Sequence, residues 1–156
     1  MWRGNAPPAI KTDMKLFIII GSFLMLVVAL VHIYWSLGGT LFIDRALPEK
    51  TDGRKLFKPT RAGTAIVGTV LLVVAMAATS PLYISDARLL SIFRIVLMFF
   101  CVVFFVRFIG DFRFVGIFRK IRNTGFAEYD TLVYTPLSLV FSLVCGLSAY
   151  FFNSLA

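Results

Sequence analysis

Four long stretches of this chain, residues 16–37, 63–84, 89–109 and 132–152, are nearly free of charge. Each is close to the roughly 20 residues that a helix needs to cross about 30 Å of hydrocarbon. All eight acidic residues lie outside these stretches, and only Arg94, Arg107 and the single histidine, His32, interrupt them. A segment in hydrocarbon must satisfy its own backbone N–H and C=O groups, and nothing here alternates as the strands of a closed barrel would. The sequence therefore predicts an all-α fold, a four-helix transmembrane bundle forming one integral membrane domain over residues 1–156.

Composition agrees. The chain is 59% apolar and 15% charged, with a mean hydropathy of +0.87, whereas soluble domains average about 45–50% apolar and about 25% charged. Too little polar surface remains to cover a water-soluble globule. A net charge of +8 on such a chain points to an anionic membrane surface as partner rather than to nucleic acid. The first apolar run, 22 residues from Leu16 to Leu37, exceeds the roughly 7–15 of a signal-peptide core, and no Ala-x-Ala site follows it. It reads as a retained anchor, preceded by a short tail containing Pro7 and Pro8.

Orientation follows from the basic residues. Arg3, Lys11, Lys15 and Arg88, four in all, fall on the side shared by the termini and the second loop. Arg45, Lys50, Arg54, Lys55, Lys58, Arg61, Arg113, Arg119, Lys120 and Arg122, ten in all, fall on the side shared by loops one and three. The positive-inside rule places loops one and three in the cytoplasm and both termini outside. Arg94, near the opposite surface, reads as a snorkelling side chain without a role.

In loop three, Phe114, Ile117, Phe118 and Ile121 recur at three- and four-residue spacing, with Arg113 and Lys120 on the other side. That periodicity predicts a short amphipathic interfacial helix over residues 111–122, with Arg119 and Arg122 reaching toward phosphates and Asn123-Thr124-Gly125 ending it. Span four then starts either at Asp130 as an N-cap or at Thr135 with Pro136 in the first turn. Small residues at about one-turn spacing, Thr64 and Gly68 in span two and Ser138, Ser142, Gly146 and Ala149 in span four, predict close helix packing. No repeat relates the two halves.

The unusual polar residues collect at one end of the bundle. Span one ends at His32, Tyr34 and Trp35, span three at Arg107 and Asp111, and span four leaves from Asp130 to Tyr134. His32 and Trp35, three apart, share a helix face; Arg107 and Asp111, four apart, are spaced for an intrahelical ion pair. Together with Arg113, these residues form the candidate ligand-binding site, a small interfacial pocket. Alternatively, they serve only as an aromatic belt, an interhelical hydrogen bond and an ion pair. One histidine and no acidic cluster within the spans leave no metal site, and no cofactor motif occurs. Cys101 and Cys145 read as small apolar fillers.

His32-Ile33-Tyr34-Trp35 with Gly38-Gly39 and Leu47-Pro48, then Arg107-Phe108-Ile109-Gly110-Asp111-Phe112-Arg113-Phe114-Val115-Gly116, then Phe126-Ala127, Asp130-Thr131 and Tyr134-Thr135-Pro136-Leu137 resemble a family of small bacterial four-span membrane proteins of unknown function. The resemblance implies a bacterial source, hence the cytoplasmic membrane, and transfers no chemistry. The expected function is binding of an amphiphile with an anionic head. The alternatives are a membrane-embedded enzyme using His32 or Asp111 as acid or base, and an accessory subunit meeting a membrane-protein partner. A transporter or channel acting as a homo-oligomer is disfavoured, because the spans carry no charge at mid-depth.

Overall fold

The computed structural model describes residues 8–155, with side chains over 11–150; residues 1–7, which hold most of the expected tail, lie outside the described residues. Among the described residues six α-helices follow in order: α1 (Pro8–Ser36), α2 (Ile43–Ala46), α3 (Arg61–Thr79), α4 (Ala87–Ile109), α5 (Gly125–Tyr129) and α6 (Thr135–Leu155). Within the described residues four helical segments are long and apolar enough to cross a membrane, Lys11–Ser36, Arg61–Leu82, Ala87–Ile109 and Gly125–Tyr150. Among the described residues there is no strand, only an isolated bridge between Glu49 and Lys55 in loop one.

Local chemistry sets the helix starts. Thr60 caps α3, its hydroxyl accepting from the Gly63 N–H at 3.1 Å, and Asp86 caps α4 through the Leu89 N–H at 2.9 Å. The last long helix begins earlier than either expected start. Thr124 is its cap, accepting from the Ala127 N–H at 3.1 Å, so the Asn-Thr-Gly sequence opens this helix rather than closing the one before. Pro136 has no N–H to give to the Leu132 carbonyl. The helix absorbs that loss as a π-helical turn, Asp130–Tyr134, that joins α5 to α6.

α1 packs along α3, α4 along α6, and α1 also meets α6. The shared core is Met25, Ala29, Leu71, Val74, Ala78, Leu97, Phe141, Val144 and Cys145. Small residues do bring backbones together. A Cβ on Gly68 would lie 3.1 Å from the Ala29 carbonyl of α1, and one on Gly21 would lie 2.2 Å from a Val144 methyl of α6. Hydroxyls bridge the helices, Ser142 donating to the Cys101 carbonyl and Ser148 to the Ala78 carbonyl, each at 2.9 Å. α4 buries only Leu97 fully, and Ile92, Ile95, Phe99, Val102 and Val106 face outward. Such a surface suits lipid far better than water.

The interfacial helix expected over residues 111–122 is not formed: this segment is an irregular loop. Its apolar spacing is helical, but its backbone is committed elsewhere. Gly110, Phe112 and Gly116 all have positive φ (93°, 61° and 84°), and the Asp111 carboxylate accepts from three successive backbone N–H groups, those of Arg113, Phe114 and Val115. The chain folds back across the end of α4, the Ile117 N–H reaching the Phe108 carbonyl at 3.0 Å. Phe112, Ile117 and Phe118 still point outward, with the Phe112 and Phe118 rings stacked 6.1 Å apart.

Candidate functional site

Asp130, carried by the π-helical turn, is completely buried at the loop-three end of the bundle. One carboxylate oxygen accepts from Arg107 at 2.5 Å. The other accepts from Arg119 at 2.7 Å, the Gly116 N–H at 2.9 Å and the Thr135 hydroxyl at 3.0 Å. Arg119 also donates to the carbonyls of Gly116 and Ala127 and to the Thr131 hydroxyl. This latch joins α4, loop three and the last helix through one negative charge. Two guanidiniums share that charge, and Arg107 Nη1 and Arg119 Nε are buried with no partner among the described residues.

The expected intrahelical pair of Arg107 with Asp111 is therefore not made. Spacing permits it, but Asp111 already receives three backbone N–H donors, and Arg107 finds a buried carboxylate across the bundle. Burial pushes the Asp111 carboxyl up, yet those backbone donors outweigh it and hold the group below its ordinary value. Arg119 does not reach out as expected: it is 7% exposed. Arg113 is exposed and lies over the Phe114 ring at 5.2 Å. Tyr134 sits beside Phe126, ring centroids 6.1 Å apart.

Loop one closes over this end. Arg45 of α2 lies 5.5 Å from the Tyr129 ring centroid, and Gly125 makes room for it, since a Cβ there would be 2.6 Å from Arg45 Nη1. Glu49 pairs with Lys55. The Lys55 hydrogen bond, opposed by burial and aided by the N–H groups of Phe126 and Gly125, lowers the Glu49 carboxyl below its usual range. Loop one thus places a carboxylate at the start of α5, where a helix favours negative charge.

His32 and Trp35 belong to a separate place. They line an open groove of about 480 Å³ between the end of α1, loop one and the start of α3, together with Phe57, Lys58, Thr60 and Thr64. The groove lining is mostly apolar, and it includes neither Arg107, Asp111, Asp130 nor any other carboxylate. The His32 Nδ1–H donates to the Val28 carbonyl at 2.8 Å; a carbonyl only accepts, so Nε2 is the nitrogen left for other contacts. The His32 and Trp35 rings are 5.0 Å apart, tilted by 60°, and the Trp35 indole N–H is fixed on the Leu41 carbonyl at 2.8 Å. Tyr34 turns away to cover Gly39. Of the eight residues singled out from sequence, Arg107 and Asp130 join the latch, Asp111 caps the loop-three backbone, and His32 and Trp35 line the groove, while Tyr34, Arg113 and Tyr134 pack outside all three. Arg119, Gly116, Lys58 and Thr60 were not among them. Asp130 stands two residues from its span, but so do Asp86 and Asp111, so spacing alone did not mark it as a buried counter-charge; the groove left no signal, because loop one builds it by folding over.

These features define a class: a protein that is all-helical over the described residues, with four helices there long and apolar enough to cross a membrane, tied at one end by a buried Arg–Asp–Arg latch and carrying a mostly apolar groove with one lysine. The chain belongs to the family described as protein of unknown function (DUF3995), whose model matches residues 25–145, from the middle of α1 into α6. Comparisons with curated proteins and with solved structures return no match.

Proposed function

We propose that this chain is an integral protein of a bacterial cytoplasmic membrane that binds one amphiphile with an anionic head in the His32–Trp35 groove. The observation that carries this reading is the groove's lining. It is apolar, its charged group is Lys58, and it contains no carboxylate. Its position suits such a ligand, between the last turn of one span and the first turn of the next, at the depth of lipid head groups. Its volume falls in the range of about 300–1,000 Å³ typical of small-molecule sites. The tail would lie along Trp35 and Phe57, and the head would meet Lys58. The Arg107–Asp130–Arg119 latch is scaffold in this reading, fixing the end of the bundle on which loop one rests. The enzyme alternative retains His32 alone, because Asp111 is committed to backbone capping.

Lipid extraction and mass spectrometry of the purified chain test the proposal. One amphiphile class should be enriched over bulk lipid, and Lys58→Glu should deplete it about tenfold, the equivalent of one reversed charge contact of roughly 1.4 kcal/mol. A chain carrying only bulk lipid, or a Lys58→Glu variant with the same enrichment, would end it.

The charge asymmetry of the loops supports an orientation with loops one and three in the cytoplasm and both termini outside. Alkaline phosphatase fused at the C-terminus should then be active in a bacterial host and a fluorescent protein at the same point dark. The reverse pattern would invert the orientation.

A further inference from the structure

A second cleft, of about 320 Å³, opens between α4 and α6 at the end away from the latch, lined by Arg94, Met98, Val102, Gly146 and Tyr150 among others. Arg94 lies seven residues into α4, about 10 Å along the helix from its start, and it forms no hydrogen bond or ion pair with any described residue. Arg107, the other arginine within an apolar helix of the bundle's α4, is by contrast paired with a buried carboxylate. An arginine at that depth is costly without an anionic or aqueous partner, and among the described residues none pairs with it.

We infer that this cleft holds one phospholipid of the leaflet on the termini side, its phosphate paired with Arg94 and one acyl chain lying along Met98, Val102 and Gly146. The inference rests on the membrane reading above but not on the His32–Trp35 groove. Gly146 gives the cleft its depth: a Cβ there would already stand 3.3 Å from the Cys101 sulfur. Met98, Val102 and Tyr150 are 53%, 60% and 65% exposed, so the cleft is open to lipid along its length. Tyr150, which also lines the cleft, carries a hydroxyl able to donate. With one cation and no carboxylate in its lining, the cleft favours a net-negative head such as phosphatidylglycerol over zwitterionic phosphatidylcholine. A second copy of this chain is a poorer occupant, since a two-fold contact would oppose like charges.

Native mass spectrometry of the full chain in detergent, titrated with phosphatidylglycerol or phosphatidylcholine of identical acyl chains, tests the site. The Lys58→Glu background removes any contribution from the other groove, so failure there and failure here are distinguishable. Phosphatidylglycerol should bind more tightly than phosphatidylcholine, and Arg94→Gln should weaken it about fivefold or more, as expected for losing one cation beside a phosphate. Met98→Trp, which fills the cleft from its exposed rim and keeps the arginine, should weaken both lipids. Equal binding of the two lipids, or wild-type affinity in both variants, would overturn the inference. So would a membrane polypeptide released by Arg94→Gln with lipid binding unchanged, which would assign the cleft to a helix bearing a carboxylate.

Discussion

Asp130→Asn is expected to destabilise the folded chain by about 3–5 kcal/mol, the cost typical of breaking a buried ion pair from one side. The asparagine fits the space, but it leaves the Arg107 and Arg119 guanidiniums facing each other without a counter-charge and turns an amide N–H₂ toward donors. The two arginines will not suffer equally. The Arg107 side chain is 31% exposed and can recruit water or a lipid phosphate, whereas the Arg119 side chain is 8% exposed. Most of the loss should therefore run through Arg119. In double-mutant cycles the Arg119–Asp130 coupling should exceed the Arg107–Asp130 coupling. Thermal unfolding of the detergent-solubilised variants gives both quantities. A melting point for Asp130→Asn no lower than that of an exposed substitution such as Arg54→Ala would show that the latch carries no load.

Asp130 also illustrates what could be read before folding and what could not. The four spans are legible because length and hydropathy alone decide them: each apolar stretch has one way to satisfy its backbone in hydrocarbon. The partner of Arg107 is not. Spacing along one helix favours Asp111, four residues on, but Asp111 lies beyond Gly110, where the chain leaves the helix with φ 93°, and its oxygen is taken by local N–H groups. The competing acid, Asp130, is 23 residues away and reaches Arg107 only because α4 and the last helix lie side by side. The loop-three helix fails for a related reason. Phe114, Ile117, Phe118 and Ile121 have the right period, but Gly116 stands in the middle of the run, and a glycine there is a weak helix residue and a strong one for a turn with positive φ. Asn123-Thr124-Gly125 reads as the stop of a preceding helix, whereas Thr124 caps the following one, because the apolar run of span four begins several residues after it.

Gly110→Ala should be comparably damaging, for steric rather than electrostatic reasons. A Cβ at this position would lie 1.8 Å from the Val115 carbonyl oxygen and 2.6 Å from its carbon, and the backbone there has φ 93°. A conformation of this kind costs a non-glycine residue about 1–3 kcal/mol, and forced overpacking adds about 1–3 kcal/mol more. No rotamer can relieve the contact, because both partners are main chain. The only escape is to part the two segments where loop three crosses the end of α4. That movement draws the Ile117 N–H from the Phe108 carbonyl and the Gly116 N–H from Asp130, both bonds of the crossing. Gly53→Ala separates the two effects: Gly53 also has positive φ, at 79°, but a Cβ there meets nothing within 4 Å. It should cost about 1 kcal/mol, the backbone strain alone, and thermal unfolding of the two variants side by side measures the difference. Because Gly116 donates to Asp130, Gly110→Ala and Asp130→Asn strain the same assembly, and the double variant should lose clearly less than the sum of the singles. Full additivity, or a Gly110→Ala melt matching that of Gly53→Ala, would mean that the crossing and the buried carboxylate stabilise the bundle independently, and that the latch ends at its two arginines.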